Sequence, residues 1–190
     1  MSDDPYVYPG TTILRNKPAI RDAERLDAFE RRMATQRAAE GIPTGDFDLS
    51  HLQAIHGHLF QDVYDWAGQI RIVELNKGGD QFMFRQYIQT GMADVHRRIV
   101  KADYFKGASQ TDFAAGAGQI MGDVNYVHPF REGNGRTQLL YLKQLSIIAG
   151  YPLDLRRINP DMWIEASKRA HQAEYASIGA AIRAALERSA

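Results

Sequence analysis

The chain has no cysteine among its 190 residues. Disulfides and thiolate metal sites are therefore excluded, and the absence fits a reducing compartment without requiring one. It also has no surplus of charge: Lys and Arg number 23, and Asp and Glu number 23. That balance argues against a general polyanion binder and leaves room for a local basic pocket. No stretch approaches the roughly 18 consecutive apolar residues of a membrane span. The opening MSDDPYVYPG is acidic and carries no apolar core, so it does not read as a secretory signal. Repeats, low-complexity tracts and Gly/Ser linkers are missing as well. What is present is 44% hydrophobic and 24% charged, enough apolar material for a real core. The length is that of one domain, residues 1–190. The expected setting is the cytoplasm, with no membrane partner and no direct nucleic-acid partner.

Residues 1–19, including YVYPGTTIL, read as an irregular arm. Helical spacing follows from about Ile20 to Glu40, with Leu26, Phe29 and Met33 on one face and Gly41 as the stop. Asp48 caps a second helix, whose stripe is Leu52, Ile55, Leu59, Phe60 and Val63 and whose end falls near Trp66. Apolar stretches Ile70–Leu75 and Phe82–Phe84 then flank Asn-Lys-Gly-Gly-Asp, a hairpin signal. A lone hairpin is marginal in water, so residues 70–84 should lie on the body as a flap. Further helices are expected over Gln86–Lys101, Thr111–Tyr126 and Asn134–Ala149, and over roughly 160–173 and 177–188. Asn159-Pro160 supplies a cap followed by proline at the first helical position. The fold class is all-α, a compact helical domain with one small β-hairpin flap.

Chemistry concentrates in HPFREGNGRTQL, residues 128–139. Pro129 cannot continue the preceding helix and disfavours helical backbone at His128. His128 thus stands at the end of a buried helix facing a loop, and Phe130 anchors that loop in the core. Gly133-Asn134-Gly135 lets the backbone turn tightly, and a helix starts directly after it. Unpaired amides at such a helix start form an anion site. Arg136 in the first turn is poorly placed for the helix dipole unless a bound phosphate offsets the cost. Glu132 beside a phosphate makes sense if Mg²⁺ bridges the two. His128 alone has a pKa suited to taking a proton near neutral pH. The joint pattern reads as a Mg²⁺-nucleotide site with a general base, although each piece alone is commonly structural. His51, His56 and His58 share the second helix without completing a metal site. Trp66 and Trp163 read as core anchors, and Arg156-Arg157 and Lys168-Arg169 as solvated faces.

This stretch closely resembles the signature of the Fic family, H-P-F-x-[D/E]-G-N-G-R-x-x-R, and residues 128–136 match it throughout. DPYVYPGTTILRN, LFQDVYDWAGQIR, IRIVELNKGG and ASKRAHQAEYASIGAAI resemble further parts of bacterial Fic toxins, so the likeness covers the whole chain. It implies a Fic-type helical domain that transfers AMP from ATP to a hydroxyl of a target protein. In that reading His128 is the base and Glu132 holds Mg²⁺. The amides of Gly133, Asn134 and Gly135 form the anion hole, with Asn134 on the α-phosphate and Arg136 on the β-phosphate. The flap residues Ile72, Val73, Glu74, Leu75, Asn76, Gly78 and Gly79 would pair with an extended target segment. Lys77 at the flap tip would be a further phosphate contact, or equally a solvated tip. Gln172, Glu174 and Tyr175 would approach the adenine. The implied role is a toxin acting on DNA gyrase and topoisomerase IV.

The signature ends in a second arginine, and here that position is Leu139. In the family this arginine holds the γ-phosphate and pairs with the glutamate of an inhibitory [S/T]-x-x-x-E-[G/N] helix. Neither Glu40-Gly41 nor Glu132-Gly133 completes that motif in this chain, so an inhibitor would be a separate small antitoxin. Leu139 is compatible with simple local repacking, with weakened use of ATP, or with a different donor. Other readings are a kinase like the Doc relatives, or a degenerate domain that only binds a nucleotide or partner. Gly133 and Gly135 favour AMP transfer over the first; intact His128, Glu132, Asn134 and Arg136 argue against the second.

Overall fold

A computed structural model describes residues 4–186. Helix α1 spans Ala23–Ala39 and α2 spans Leu49–Phe60, capped by the carboxylates of Asp22 and Asp48, which accept from the Arg25 and His51 amides at 2.8 Å. Ile20 stays outside α1 because its backbone N–H and C=O are both held by the Asn16 side chain. Helix α2 stops at Phe60, short of the expected Trp66. The chain must double back there: Val63 gives its carbonyl to Lys17 of the arm, and Gly68 gives its N–H to His56. The described part of the arm carries an antiparallel bridge between Val7 and Leu14, and the Tyr6 ring lies edge-on to Trp66 at 5.3 Å.

The hairpin is shorter than its apolar pattern suggests. Strands β1 (Asn76–Lys77) and β2 (Asp80–Gln81) pair Asn76 with Gln81 and Lys77 with Asp80. Gly78 and Gly79 form the turn with φ of +63° and +94°, which a two-residue turn of this hand requires. The legs expected as strands do not pair along their length, because their amides are spent on the body. Arg71 N–H donates to Pro129 O at 2.9 Å, Ile72 N–H to Tyr6 Oη at 3.1 Å, and Met83 N–H to Tyr126 O at 2.9 Å.

After a 3-10 turn at Arg85–Tyr87 come α3 (Ile88–Lys101) and α4 (Gln110–Val127), then α5 (Asn134–Ile148), α6 (Pro160–Ala170) and α7 (Ala176–Ala185). The sequence expectation carried the last helix to residue 188; residues 187 and 188 lie outside those described. Helix α4 is the central rod, burying Phe113, Ile120, Met121, Val124 and Val127 against α3, α5, α6 and α7. Its close approach to α7 rests on Gly118, where a Cβ would meet the Gly179 backbone nitrogen at 2.8 Å. Both ends of the 128–133 loop therefore leave rigid, buried helices. The described residues form an all-α fold with one small two-stranded sheet.

Candidate active site

His128 closes α4 in the left-handed region, with φ 45° and ψ 62°. Its amide still reaches Val124 O at 3.1 Å, so the helix hydrogen-bond ladder carries the residue to its position. The ring Nδ1 lies 3.1 Å from the Asn125 carbonyl. A carbonyl can only accept, so Nδ1 carries the proton and Nε2 keeps a lone pair. The ring stacks on Phe82 of the flap at 3.8 Å and 18°. Burial holds the imidazole well below its ordinary pKa, at about 4, against the opposing pull of the Asn125 hydrogen bond. The positive charges of Arg71, Lys77 and His171 push the same way as burial. The ring is neutral at pH 7 and can accept a proton.

The loop that follows is held from several sides. Phe130 is fully buried and stacks on His56 at 3.9 Å. The Asn134 side chain accepts from Phe130 N–H at 3.0 Å and donates to Phe130 O at 2.8 Å, closing the loop on itself. This clamp is a use of Asn134 that the sequence did not announce; one amide N–H of the side chain is left over. Beneath the loop, His56 Nε2–H donates to Glu132 O at 2.9 Å and its Nδ1 accepts from Gly68 N–H at 2.8 Å. Both ring nitrogens are used only in the neutral form, and burial pushes the pKa down to about 4. Gly133 adopts φ +80°, and a Cβ there would lie 2.4 Å from the Phe60 ring. As N-cap of α5 it offers no side chain, so no capping group covers the first-turn amides. Gly133 N–H itself is bonded to Glu132 Oε1 at 2.9 Å.

Arg136 lies across the Phe60 ring, 4.8 Å from guanidinium carbon to centroid, and 4.0 Å from the Glu132 carboxylate. One guanidinium nitrogen pairs with Glu30 of α1, and the other terminal nitrogen is buried with no hydrogen-bond partner among the described residues. Glu30 is itself buried, and its second oxygen accepts from Tyr64 Oη. Burial first, then the Glu30 charge, raises the Tyr64 pKa far above its usual value.

A cavity of about 650 Å³ joins these parts. His128, Glu132, Gly133, Asn134, Gly135, Arg136 and Leu139 line it from the loop and α5, and Leu75, Asn76, Lys77 and Phe82 from the flap. Its far wall is Trp163, Ser167, Lys168 and His171 of α6 and the residue after it, so Trp163 and Lys168 face the cavity as well as serving core and surface. The other expected flap residues stand apart. Ile72 is exposed, Val73 packs on the core, and Glu74 turns to Arg71 and Arg85. Gly78 and Gly79 form the tip, with open space around them. Gln172, Glu174 and Tyr175 do not line the cavity either: the chain turns away after His171, and Tyr175 Oη donates to Asp123 at 2.7 Å. His51 and His58 bond the backbone at Pro43 and Arg37, and no cluster of three metal-ligating side chains exists among the described residues.

Sequence reading missed Arg71, His56, Glu30 and Tyr64. Arg71 is fully buried. Its Nε–H donates to His128 O at 2.8 Å, and its terminal nitrogens donate to Val73 O at 2.7 Å and to Met83 O. A lone arginine before a hairpin gives no local sign of such a role.

A model of the Fic/DOC family matches residues 46–146. A probable protein adenylyltransferase of Sinorhizobium fredii is 42% identical over 182 residues, covering 95% of both chains. A probable protein adenylyltransferase of Escherichia coli K12, Fic, is 35% identical over 167 residues, covering 87% of this chain and 83% of its own. Among solved structures, the BepC protein of Bartonella tribocorum with bound AMPPNP superposes at a TM-score of 0.89. It is 23% identical and covers 98% of both chains, a likeness of fold. With the 128–136 signature seated on this fold, the chain belongs to the Fic/DOC family.

Proposed function

We propose that this chain is a protein adenylyltransferase, transferring AMP from ATP to a hydroxyl side chain of another protein. One observation carries the reading: the free Nε2 of His128 shares a cavity with the uncapped start of α5. Nε2 takes the proton of the target hydroxyl as its oxygen bonds to the α-phosphorus. The bond from that phosphorus to the β-phosphate bridging oxygen breaks, and pyrophosphate leaves. The amides of Asn134 and Gly135, the spare N–H of Asn134 and the Arg136 guanidinium are the donors for the phosphate oxygens. Phosphate charge near His128 raises its pKa from about 4 toward the range of an effective base.

The donor set fits Mg²⁺ held with the nucleotide. Glu132 is exposed, and its Oε1 takes the neighbouring Gly133 N–H and a loose 4.0 Å ion pair with Arg136, so the carboxylate can turn to a cation. No all-protein cage is present among the described residues, which suits an ion held by one carboxylate plus phosphates. The ion would neutralise phosphate charge. The flap supplies the docking edge for the target, with Lys77 on the cavity wall as a further phosphate contact. The whole chain acts as one domain in this reading. Its resemblance to bacterial Fic toxins makes the role that of a cytoplasmic toxin, with type II topoisomerases as the target class. A separate antitoxin would have to work without a second signature arginine to grip.

Leu139 favours a second reading of the donor. It sits on the cavity wall, which Leu155 and Ile158 also line, so the Leu139 side chain offers no cation to a terminal phosphate. Loss of one charge-assisted bond lowers ATP use by about one to two decades. The test is label transfer into a bacterial lysate from ATP labelled at the α- or γ-phosphate. Wild type, His128→Ala and Leu139→Arg run together. Label from the α-position, abolished by His128→Ala and increased by Leu139→Arg, is the expected result. Label from the γ-position would make the chain a kinase and refute the proposal. Silence in all three with every common nucleotide would leave a binding role.

A further inference from the structure

Both legs of the flap and the end of the catalytic helix meet at one side chain. The Arg71 guanidinium is wholly enclosed, and apart from a weak 3.4 Å contact with Glu74 its partners are main-chain carbonyls. Its Nε–H goes to His128 O at 2.8 Å, and one terminal nitrogen reaches Val127 O at 3.4 Å. The same planar fork takes Val73 O at 2.7 Å on the way into the flap and Met83 O on the way out. The backbone repeats the link, through Arg71 N–H to Pro129 O and Met83 N–H to Tyr126 O. A rigid guanidinium with five N–H donors can serve three segments at once; an ammonium cannot keep that geometry.

We infer that Arg71 is a positioning residue that locks the flap to the catalytic histidine, fixing the height of the docked target above Nε2 and holding His128 in its left-handed conformation. This rests on the adenylyl-transfer reading for its purpose, and on the hydrogen bonds for its existence. A non-glycine residue at φ +45° is strained, and here its carbonyl points at a buried cation. Phe82, one residue before the Met83 anchor, stacks on the His128 ring, so a shift of that leg moves the ring's stacking partner. The charged groups around that ring are Arg71 beneath it, Lys77 on the flap and His171 after α6. Among them Arg71 alone is bonded to the histidine's own main chain.

Arg71→Lys keeps the charge without the fork, and Arg71→Gln removes both. Each full-length variant is compared with wild type by amide hydrogen exchange and by NMR titration of the His128 ring. In both variants the Phe82 and Met83 amides should lose at least about tenfold in protection, the worth of one charge-assisted hydrogen bond. The Ile120 and Val124 amides in mid-α4 should be unchanged. The His128 midpoint should rise in Arg71→Gln and rise less in Arg71→Lys. Unchanged flap protection, equal loosening of α4, or an unmoved midpoint in a folded Arg71→Gln chain would each overturn the inference. So would failure of both variants to fold, since Arg71 would then serve the fold alone. If only Arg71→Gln fails to fold, the flap amides of Arg71→Lys decide. None of these readouts needs a target or a nucleotide, so a wild type that transfers no AMP would remove the proposed function and still allow this inference to be scored.

Discussion

Acidification should destabilise this protein through His56, and the size of the effect follows from its environment. The ring has no solvent exposure, and burial, its largest influence, brings its pKa from 6.5 to about 4. The Glu132 hydrogen bond opposes this and the Arg136 charge reinforces it. For a cationic group with a depressed folded pKa, the unfolded chain protonates first. Stability is therefore full above pH 6.5, declines as pH falls toward 4, and levels off below. Between pH 7 and pH 5 the loss from this one ring is about 2 kcal/mol, against a total stability of about 5–15 kcal/mol. The assay is urea unfolding at stepped pH, read by tryptophan fluorescence, since Trp66 stacks on the ring at 5.9 Å. His56→Gln removes the titration while its carboxamide can still donate toward Glu132 O and accept from Gly68 N–H. The variant should be less stable at pH 7, yet lose about 2 kcal/mol less than wild type on going to pH 5. Parallel stability curves for the two proteins would refute the reasoning, because the buried ring would then not be the group that charges.

Gly133→Ala should cost about 2–4 kcal/mol, combining left-handed strain with overpacking against Phe60, and should show a lowered urea midpoint with unchanged slope. Asn134→Ala leaves the Phe130 N–H and C=O buried without partners, and a loss of about 2–4 kcal/mol is expected in the same assay. Glu30→Gln and Tyr64→Phe act on one network, so their double variant should fall short of the sum by about 0.5–3 kcal/mol in a thermodynamic cycle.

The parts legible in the sequence are those whose causes are local. Asp48 and Asn159, which the sequence marks as caps, bond amides two or three residues ahead and start α2 and α6; Asp22 and Ser109 do the same for α1 and α4, setting those starts at Ala23 and Gln110 instead of near Ile20 and Thr111. The loop of residues 128–136 is likewise built from neighbours: Pro129 ends α4, Asn134 closes on Phe130, and Gly133 makes the turn. The turn and the helix start could be read from these neighbours alone, whereas the Asn134 clamp on Phe130 could not. The hairpin itself is where the sequence places it, but the shortness of its strands has the opposite kind of cause. Its apolar legs look like strands in isolation, but the partners of their amides, Pro129, Tyr126 and Tyr6, are far along the chain.

The same contrast explains which site residues stayed hidden. His56 bonds a carbonyl 76 residues away, Arg71 one 57 residues away, and Glu30 an arginine 106 residues away. Each is a buried polar group spent on holding a chemically competent neighbour, so no local pattern announces it. Together they fix the loop without a ligand, which is the pre-organisation that the proposed phosphate site requires of its donors. Two signature positions escape this bracing. Among the described residues the Glu132 carboxylate touches Gly133 N–H and, at 4.0 Å, Arg136; Leu139 lies on the cavity wall with no polar group to place. These two positions can change their contacts without disturbing the clamp on His128. On the adenylyl-transfer reading proposed above, variation in the metal and in the tail of the nucleotide would be absorbed there, while His128, the loop and the flap stay in register.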